Sequence, residues 1–256
     1  MTIYSYSRIS TFEKCPLKFK FRYIDKLKPE VKQFIEAFLG NQVHKTLEWI
    51  YKQINTSESL KLDQVIEYFA KEWAQNFNKE IKIIKKENTS EDYFNQGIKF
   101  LIDYFLRHSP FKDNTIATEK RIFLKLDMEG KYKLQGYIDR IVHHKDRGIY
   151  EIHDYKTSNF LKSQEELDKD EQLGLYGLAV KNNFEDVKEI LLVWHFLAFN
   201  EIRISKRTEI QFKELKKQII EKINKIESAK NFEPNPGPLC KWCEFRNYCP
   251  LFKKMK

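Results

Sequence analysis

Three of the chain's four cysteines fall within the ten residues CKWCEFRNYC, from Cys240 to Cys249, and the fourth, Cys15, stands near the opposite end. If all four hold one metal or cluster, the first and last segments must fold side by side. A soft metal or cluster bound by thiolates usually takes four ligands, so the tail triplet is one short and Cys15 is the remaining candidate. The spacing C-x2-C-x5-C by itself fits half a zinc site, a cluster site or a redox pair. Cys15 and Cys249 are each followed by proline (Pro16, Pro250), as at the end of bacterial ferredoxin runs, which leans toward iron and sulfide. Taken alone, Cys15 would read as an unliganded structural thiol.

The rest of the sequence suits that chemistry. The opening MTIYSYSRISTFEKC has no apolar core of signal-peptide length. The longest apolar run, ILLVWHFLAF from Ile190 to Phe199, is broken by His195 and is too short to span a bilayer. The expected setting is cytoplasmic, with no membrane partner, where clustered cysteines point to metal or redox chemistry rather than disulfides. A net charge of +9 suits an anionic partner, nucleic acid first, although the 46 basic residues are spread along the whole chain. A length of 256 residues, 41% hydrophobic and 32% charged, describes a globular chain with an ample core. Only 8 glycines and 7 prolines argue against a loop-dominated or sandwich architecture.

The periodicity divides the chain. Apolar residues at helical spacing predict helices over Phe34–Ile54, Leu60–Ile84 and Tyr93–Leu106, with Gly40 marking a break or a close approach. β-Branched and aromatic segments then predict strands over Thr115–Leu126, Tyr132–His143 and Gly148–Tyr155, separated by turn signals at Glu129-Gly130 and Asp146-Arg147-Gly148. A helix over Glu165–Lys181, a buried strand from Ile190, an antiparallel partner over Ile202–Arg207 and a last helix over Phe212–Ser228 complete the pattern. The fold class is α/β, with a mixed sheet flanked by helices and a helical N-terminal half.

Within the strands, EIHDYKTS (Glu151–Ser158) puts Asp154 and Lys156 on one side by alternation, with Ile152 behind them and His153 opposite. GYIDR (Gly136–Arg140) places Asp139 in an otherwise apolar strand, where a bare carboxylate needs a partner. If the strands neighbour each other, Asp139 and Asp154 converge, and a hard cation such as Mg2+ or Mn2+ relieves their repulsion. Lys156 beside it could align water or stabilise negative charge. Glu119 reads as a strand-edge charge and Glu48 as a solvated helix residue.

The ordered set GNQVH (Gly40–His44), GYIDR, DYK (Asp154–Lys156) and QLGLY (Gln172–Tyr176) resembles the PD-(D/E)XK nucleases. Within them it is most similar to the RecB-like exonuclease branch, which includes the AddB-type helicase-nuclease domain and a CRISPR-associated nuclease. The resemblance implies a restriction-endonuclease-like core. It also implies a metal site of His44, Asp139, Asp154 and the backbone carbonyl of Tyr155, with Lys156 as the catalytic lysine. Gln172 and Tyr176, four apart on one helix face, match a Q-x-x-x-Y that positions substrate. Asp154 stands where Glu is commoner, shortening the reach by one methylene. SRISTFEKCPLKFKF (Ser7–Phe21) resembles the N-terminal segment of cluster-bearing members, whose single early cysteine joins a C-terminal triplet. Cys15, Cys240, Cys243 and Cys249 are thus expected to hold a 4Fe–4S cluster, with a zinc ion on the same thiolates as the alternative.

The expected whole is one nuclease domain over residues 1–256, with a cluster-binding lobe formed by residues 1–30 and 231–256. Its expected activity is Mg2+- or Mn2+-dependent DNA hydrolysis, as an exonuclease on single strands or duplex ends. No helicase P-loop is present, so a helicase or CRISPR-adaptation protein is the expected partner for any unwinding. Two other classes remain in view: a non-catalytic nucleic-acid-binding module docking onto a helicase or integrase, and a cysteine-based redox protein. The first leaves the D…D-x-K set without purpose, and the second leaves the carboxylates unused.

Overall fold

The computed structural model describes residues 2–54 and 60–252; Met1 and residues 253–256 of the expected terminal lobe lie outside them. A short strand β1 (Ile3–Tyr4) precedes helix α1 (Tyr6–Lys14), whose N-cap Ser5 accepts a hydrogen bond from Arg8 N–H. Pro16 then opens a second short helix, α2 (Pro16–Phe19), where its missing N–H costs nothing. A two-residue strand β2 (Gln33–Phe34) leads into the 20-residue helix α3 (Ile35–Ile54), followed by α4 (Leu62–Asn76), β3 (Ile81–Lys82) and α5 (Ser90–His108). The central strands are β4 (Thr115–Lys125), β5 (Lys133–His144) and β6 (Ile149–Lys156). Helices α6 (Gln164–Asp168) and α7 (Glu171–Asn183) connect to β7 (Glu189–Phe196), β8 (Glu201–Lys206) and α8 (Glu209–Ser228).

The sheet runs β1-β5-β6-β7-β8, with β4 also paired to β5. The β4–β5, β5–β6 and β7–β8 pairings are antiparallel, whereas β1–β5 and β6–β7 are parallel, so the sheet is mixed as expected. Helices α6 and α7 form the crossover that parallel strands require. One face packs an apolar core with α1, α7 and α8, through residues such as Phe12, Leu173, Leu192, Trp194 and Ile219. The other packs a second core with α3, α4 and α5, through Val43, Leu47, Phe69, Leu101 and Tyr155. The α/β class and the flanking helices are those the periodicity predicts.

Two elements depart from the expected spans. The helix predicted to reach Ile84 stops at Asn76, because Phe77 turns to extended backbone and the Asn78 side chain accepts the Glu80 N–H, a local bond that competes with the helix. The helix predicted over Glu165–Lys181 is two helices. The first ends at Asp168 with Lys169 as its C-cap, and Asp170 caps the second, accepting Leu173 N–H at 3.0 Å. At Gly40, helix α3 runs unbroken and the glycine serves a close approach: a Cβ there would lie 3.2 Å from Thr157 Oγ1 at the end of β6.

Candidate active site

Helix α3 and strands β4, β5 and β6 bring their polar residues to one point. One ligand atom each from His44, Glu119 and Asp139 lie within 4.8 Å of one another. His44 Nε2 lies 2.9 Å from the Tyr155 carbonyl, which can only accept, so that nitrogen carries the proton. Nδ1 then faces Asp139 Oδ2 at 3.5 Å. The Tyr155 carbonyl, expected to reach a metal, is thus held by His44, and Tyr155 N–H donates to Asp139 Oδ2 at 2.8 Å. One peptide segment of β6 therefore orients both the histidine and the carboxylate.

Asp154 and Lys156 lie beside this group. Lys156 Nζ is 2.6 Å from Asp154 Oδ2, and the Asp154 residue is 5% exposed. The lysine is poorly aligned on that oxygen, which has no hydrogen-bond donor of good geometry. Lys156 Nζ also lies 3.4 Å from Gln172 Oε1, and Gln172 Nε2 donates to the Tyr176 hydroxyl at 3.3 Å. The Tyr176 ring closes onto the backbone of Gly136, where a Cβ would sit 2.6 Å from Cε1. Gln172 and Tyr176 thereby form a chain of contacts ending on the lysine.

The charges of the site are strongly displaced. Burial pushes Asp154 up to about 6 against the pull of Lys156. Burial and the neighbouring Asp139 charge raise Glu119 to about 7. Burial opposes a charged His44, but the Asp139 and Asp154 carboxylates overcome it and hold the imidazole up at about 9. Crowded carboxylates that retain protons near neutrality mark a place where a cation is favourable. One imidazole nitrogen and the carboxylate oxygens, with a buried and poorly satisfied Asp154 oxygen beside them, suit a divalent cation that accepts oxygen ligands.

The structure joins His44 and Asp139 directly and sets Asp154 with Lys156, while Glu119 completes the tight group. Glu119, read from the sequence as a strand-edge charge, instead faces His44 and Asp139, and its φ of 45° is unusual in a strand. The available signal is its register. Thr118 pairs with Arg140 and Lys120 with Ile138, so Glu119 stands level with Asp139. The Tyr155 side chain is buried at 4% exposure and serves the core.

On the side of the sheet packed by α3 and α5, Arg140 supports the site from behind Tyr155. Its side chain is 2% exposed and donates to the Tyr155 hydroxyl (3.0 Å), Thr115 Oγ1 (3.1 Å), His153 Nδ1 (2.8 Å) and Asp113. The guanidinium carbon lies 4.4 Å from the centre of the Tyr51 ring. The Tyr155 hydroxyl also meets Tyr104, which meets Tyr51. Because His153 Nδ1 accepts from Arg140, its proton is on Nε2, facing Glu151 at 3.0 Å.

At the termini, Cys15, Cys240, Cys243 and Cys249 line one pocket together with Lys18, Phe21 and Phe245. Backbone N–H groups approach two of the sulfurs: Asn235 to Cys15 Sγ at 3.5 Å, and Gly237 to Cys240 Sγ at 3.4 Å. Burial raises the Cys243 thiol above its ordinary value. Glu244 binds Lys18 at 2.8 Å and also Arg22, and Tyr248 donates to the Lys28 carbonyl. Side-chain and backbone contacts thus join the ends independently of any ligand. The four cysteines share this pocket, but among the described residues their sulfurs do not form a group of three within 4.8 Å, the spacing that one small ion would need.

The mixed sheet thus carries an acidic site at the middle of β5 and the end of β6, with a lysine two residues beyond an aspartate. The family model of the PD-(D/E)XK nuclease superfamily matches residues 3–250, and the chain belongs to that superfamily. The Gene 69 protein of Mycobacterium phage D29 is 26% identical over 274 aligned residues, covering 97% of each chain. The solved structure of a candidate exonuclease from Eubacterium rectale superposes with a TM-score of 0.53 at 16% identity, covering 100% of this chain and 96% of that one. Among the described residues, no helix is long and apolar enough to cross a membrane.

Proposed function

We propose that the chain is a DNA nuclease that hydrolyses phosphodiester bonds with Mg2+ or Mn2+, acting as an exonuclease on single strands or duplex ends. The observation that carries this reading is the convergence of His44, Glu119 and Asp139 within 4.8 Å beside the Asp154–Lys156 pair. His44 Nδ1, Glu119, Asp139 and Asp154 would hold the cation. When bound, it would lower the pKa of a water and neutralise charge on the scissile phosphate. Tyr155 orients His44 and Asp139 through its peptide groups. Lys156, steadied by Gln172, holds a positive charge where the pentavalent phosphorus gathers negative charge.

The test is cleavage of end-labelled single-stranded and duplex DNA with Mg2+, Mn2+ or EDTA. Lys156→Ala and Asp154→Asn should each lower the metal-dependent rate by about a hundredfold or more. Wild-type rates retained in both variants would refute the assignment. DNA binding without cleavage by the wild type would favour the non-catalytic module.

The cysteine lobe is proposed to hold a 4Fe–4S cluster that clamps the termini. Its support is the one-plus-three cysteine set lining one pocket and the N–H groups directed at two sulfurs. Iron and acid-labile sulfide assays on anaerobically purified protein should find both, and Cys15→Ala should lose both. Zinc without sulfide would replace the cluster with a zinc site, and neither would remove the cofactor assignment.

A further inference from the structure

The outer face of the β4–β5 hairpin carries a line of residues that the hydrolytic site does not use. Arg121 pairs across the strands with Tyr137, Phe123 with Gln135, and Lys125 with Lys133. Paired residues share a face of the ribbon, and Glu119 and Asp139 of the metal site stand level with each other one register step beyond Arg121 and Tyr137, where the left-handed Glu119 interrupts the alternation. The intervening Ile122, Leu124 and Leu134 are buried in the core beneath. Above, Phe123 and Tyr137 are each 53% exposed, although large rings on a strand usually find cover. The Arg121 guanidinium lies 4.6 Å from the Phe123 ring centre and donates to Gln135 at 2.8 Å, so ring and charge are held together. Lys125 and Lys133 stand directly opposite each other, which costs stability unless an anion lies between them.

Each two-residue step advances about 6.7 Å, so the line from Asp139 to Lys133 is about 20 Å long. Exposed rings flanked by cations, on a surface that ends at carboxylates able to hold a divalent cation, match the chemistry of an unpaired polynucleotide. Bases need flat apolar faces and phosphates need cations. A duplex keeps its base faces stacked inside and would leave both rings unused.

We propose that the outer face of the β4–β5 hairpin is a track for single-stranded DNA. Phe123 and Tyr137 stack on unpaired bases, Arg121, Lys125 and Lys133 contact the phosphates, and the strand is led toward Glu119 and Asp139. The destination rests on the nuclease reading, but the binding does not.

The experiment is a fluorescence-anisotropy titration of the full chain with labelled dT20 and with a blunt hairpin duplex, in EDTA so that no cleavage occurs. Replacing a stacking ring by alanine weakens single-strand binding by about 5- to 150-fold per base. Phe123→Ala/Tyr137→Ala should therefore lower dT20 affinity at least tenfold and duplex affinity less than twofold. The Phe123→Leu/Tyr137→Leu pair keeps apolar cover on the strands and should lose the same preference. Lys125→Gln/Lys133→Gln should reduce the slope of log affinity against log salt by about 1.4 for dT20. Aromatic variants within twofold of the wild type on dT20, or losing both substrates equally, overturn the proposal. Absent cleavage by the wild type in the separate nuclease assay would instead remove the catalytic reading and leave this binding result standing.

Discussion

Arg140→Met tests whether the site is held from behind. The substitution keeps an unbranched side chain of similar reach but removes the charge and every donor. It leaves the Tyr155 hydroxyl, Thr115 Oγ1, His153 Nδ1 and Asp113 without the guanidinium. Removing one member of a buried ion pair costs about 3–5 kcal/mol. Asp113 is 29% exposed and can turn to water, so the low end, about 3 kcal/mol, applies. For a chain of this size, about 2–4 °C accompanies each kcal/mol, giving a fall in Tm of about 6–12 °C by calorimetry of the metal-free protein. Arg140→Lys retains the charge but not the planar fork, and should recover less than half of the loss. Because Tyr155 orients His44 and Asp139, Mn2+ binding followed by electron paramagnetic resonance should also weaken. A Tm within about 1 °C of the wild type in Arg140→Met would refute this account.

Metal binding and protonation should compete. Glu119 at about 7, Asp154 at about 6 and His44 at about 9 retain protons that a cation must displace. Calorimetry in buffers of different ionisation enthalpy should therefore detect proton release at pH 7.5, and Mn2+ affinity should rise from pH 6 to pH 9. Affinity independent of pH would rule this out. His108, stacked on Tyr104, is lowered to about 4 by burial and by Arg140. A depressed histidine favours the folded state above its unfolded value of about 6.5, and that contribution disappears as pH falls toward 4. His108→Gln should flatten the decline of Tm between pH 6.5 and 4.5, and an unchanged decline would exclude His108 as a contributor. Gly97 faces Phe69 and Leu39, where an added Cβ would lie 2.4 Å from Phe69 Cζ and 2.9 Å from Leu39 Cδ1. Gly97→Ala should cost about 1–3 kcal/mol by overpacking despite its better helix propensity, measured by chemical denaturation. A stabilised variant would show that the interface yields.

Local pattern made much of this readable. Strand alternation was enough to place Asp154 beside Lys156, because two residues of one strand need no tertiary information to share a side. Helical spacing likewise aligned Gln172 with Tyr176. Glu119 was not legible because its role depends on the register of β4 against β5 and on a left-handed backbone at that residue. The break at Asp170 was hidden for another reason: an aspartate reads alike inside a helix and at a cap until its side chain chooses Leu173 N–H. The positions of the cysteines suggested that the ends meet, but Glu244 reaching Lys18 and Arg22 joins residues too far apart for any local pattern to connect.

That meeting of the ends has a consequence for biosynthesis. The Asn235 N–H reaches a Cys15 sulfur 220 positions earlier in the chain. A ribosome releases residues in order, so Cys15 leaves the exit tunnel long before its partners exist. The hairpin that carries Asp139 and the strand that carries Lys156 can pair earlier, since their contacts lie between neighbouring segments. The lobe can close only after Cys240 has been made, and a nascent chain halted before Cys240 would present Cys15 without its cysteine neighbours. Closure of the lobe thus reports that translation has passed the tail cysteines.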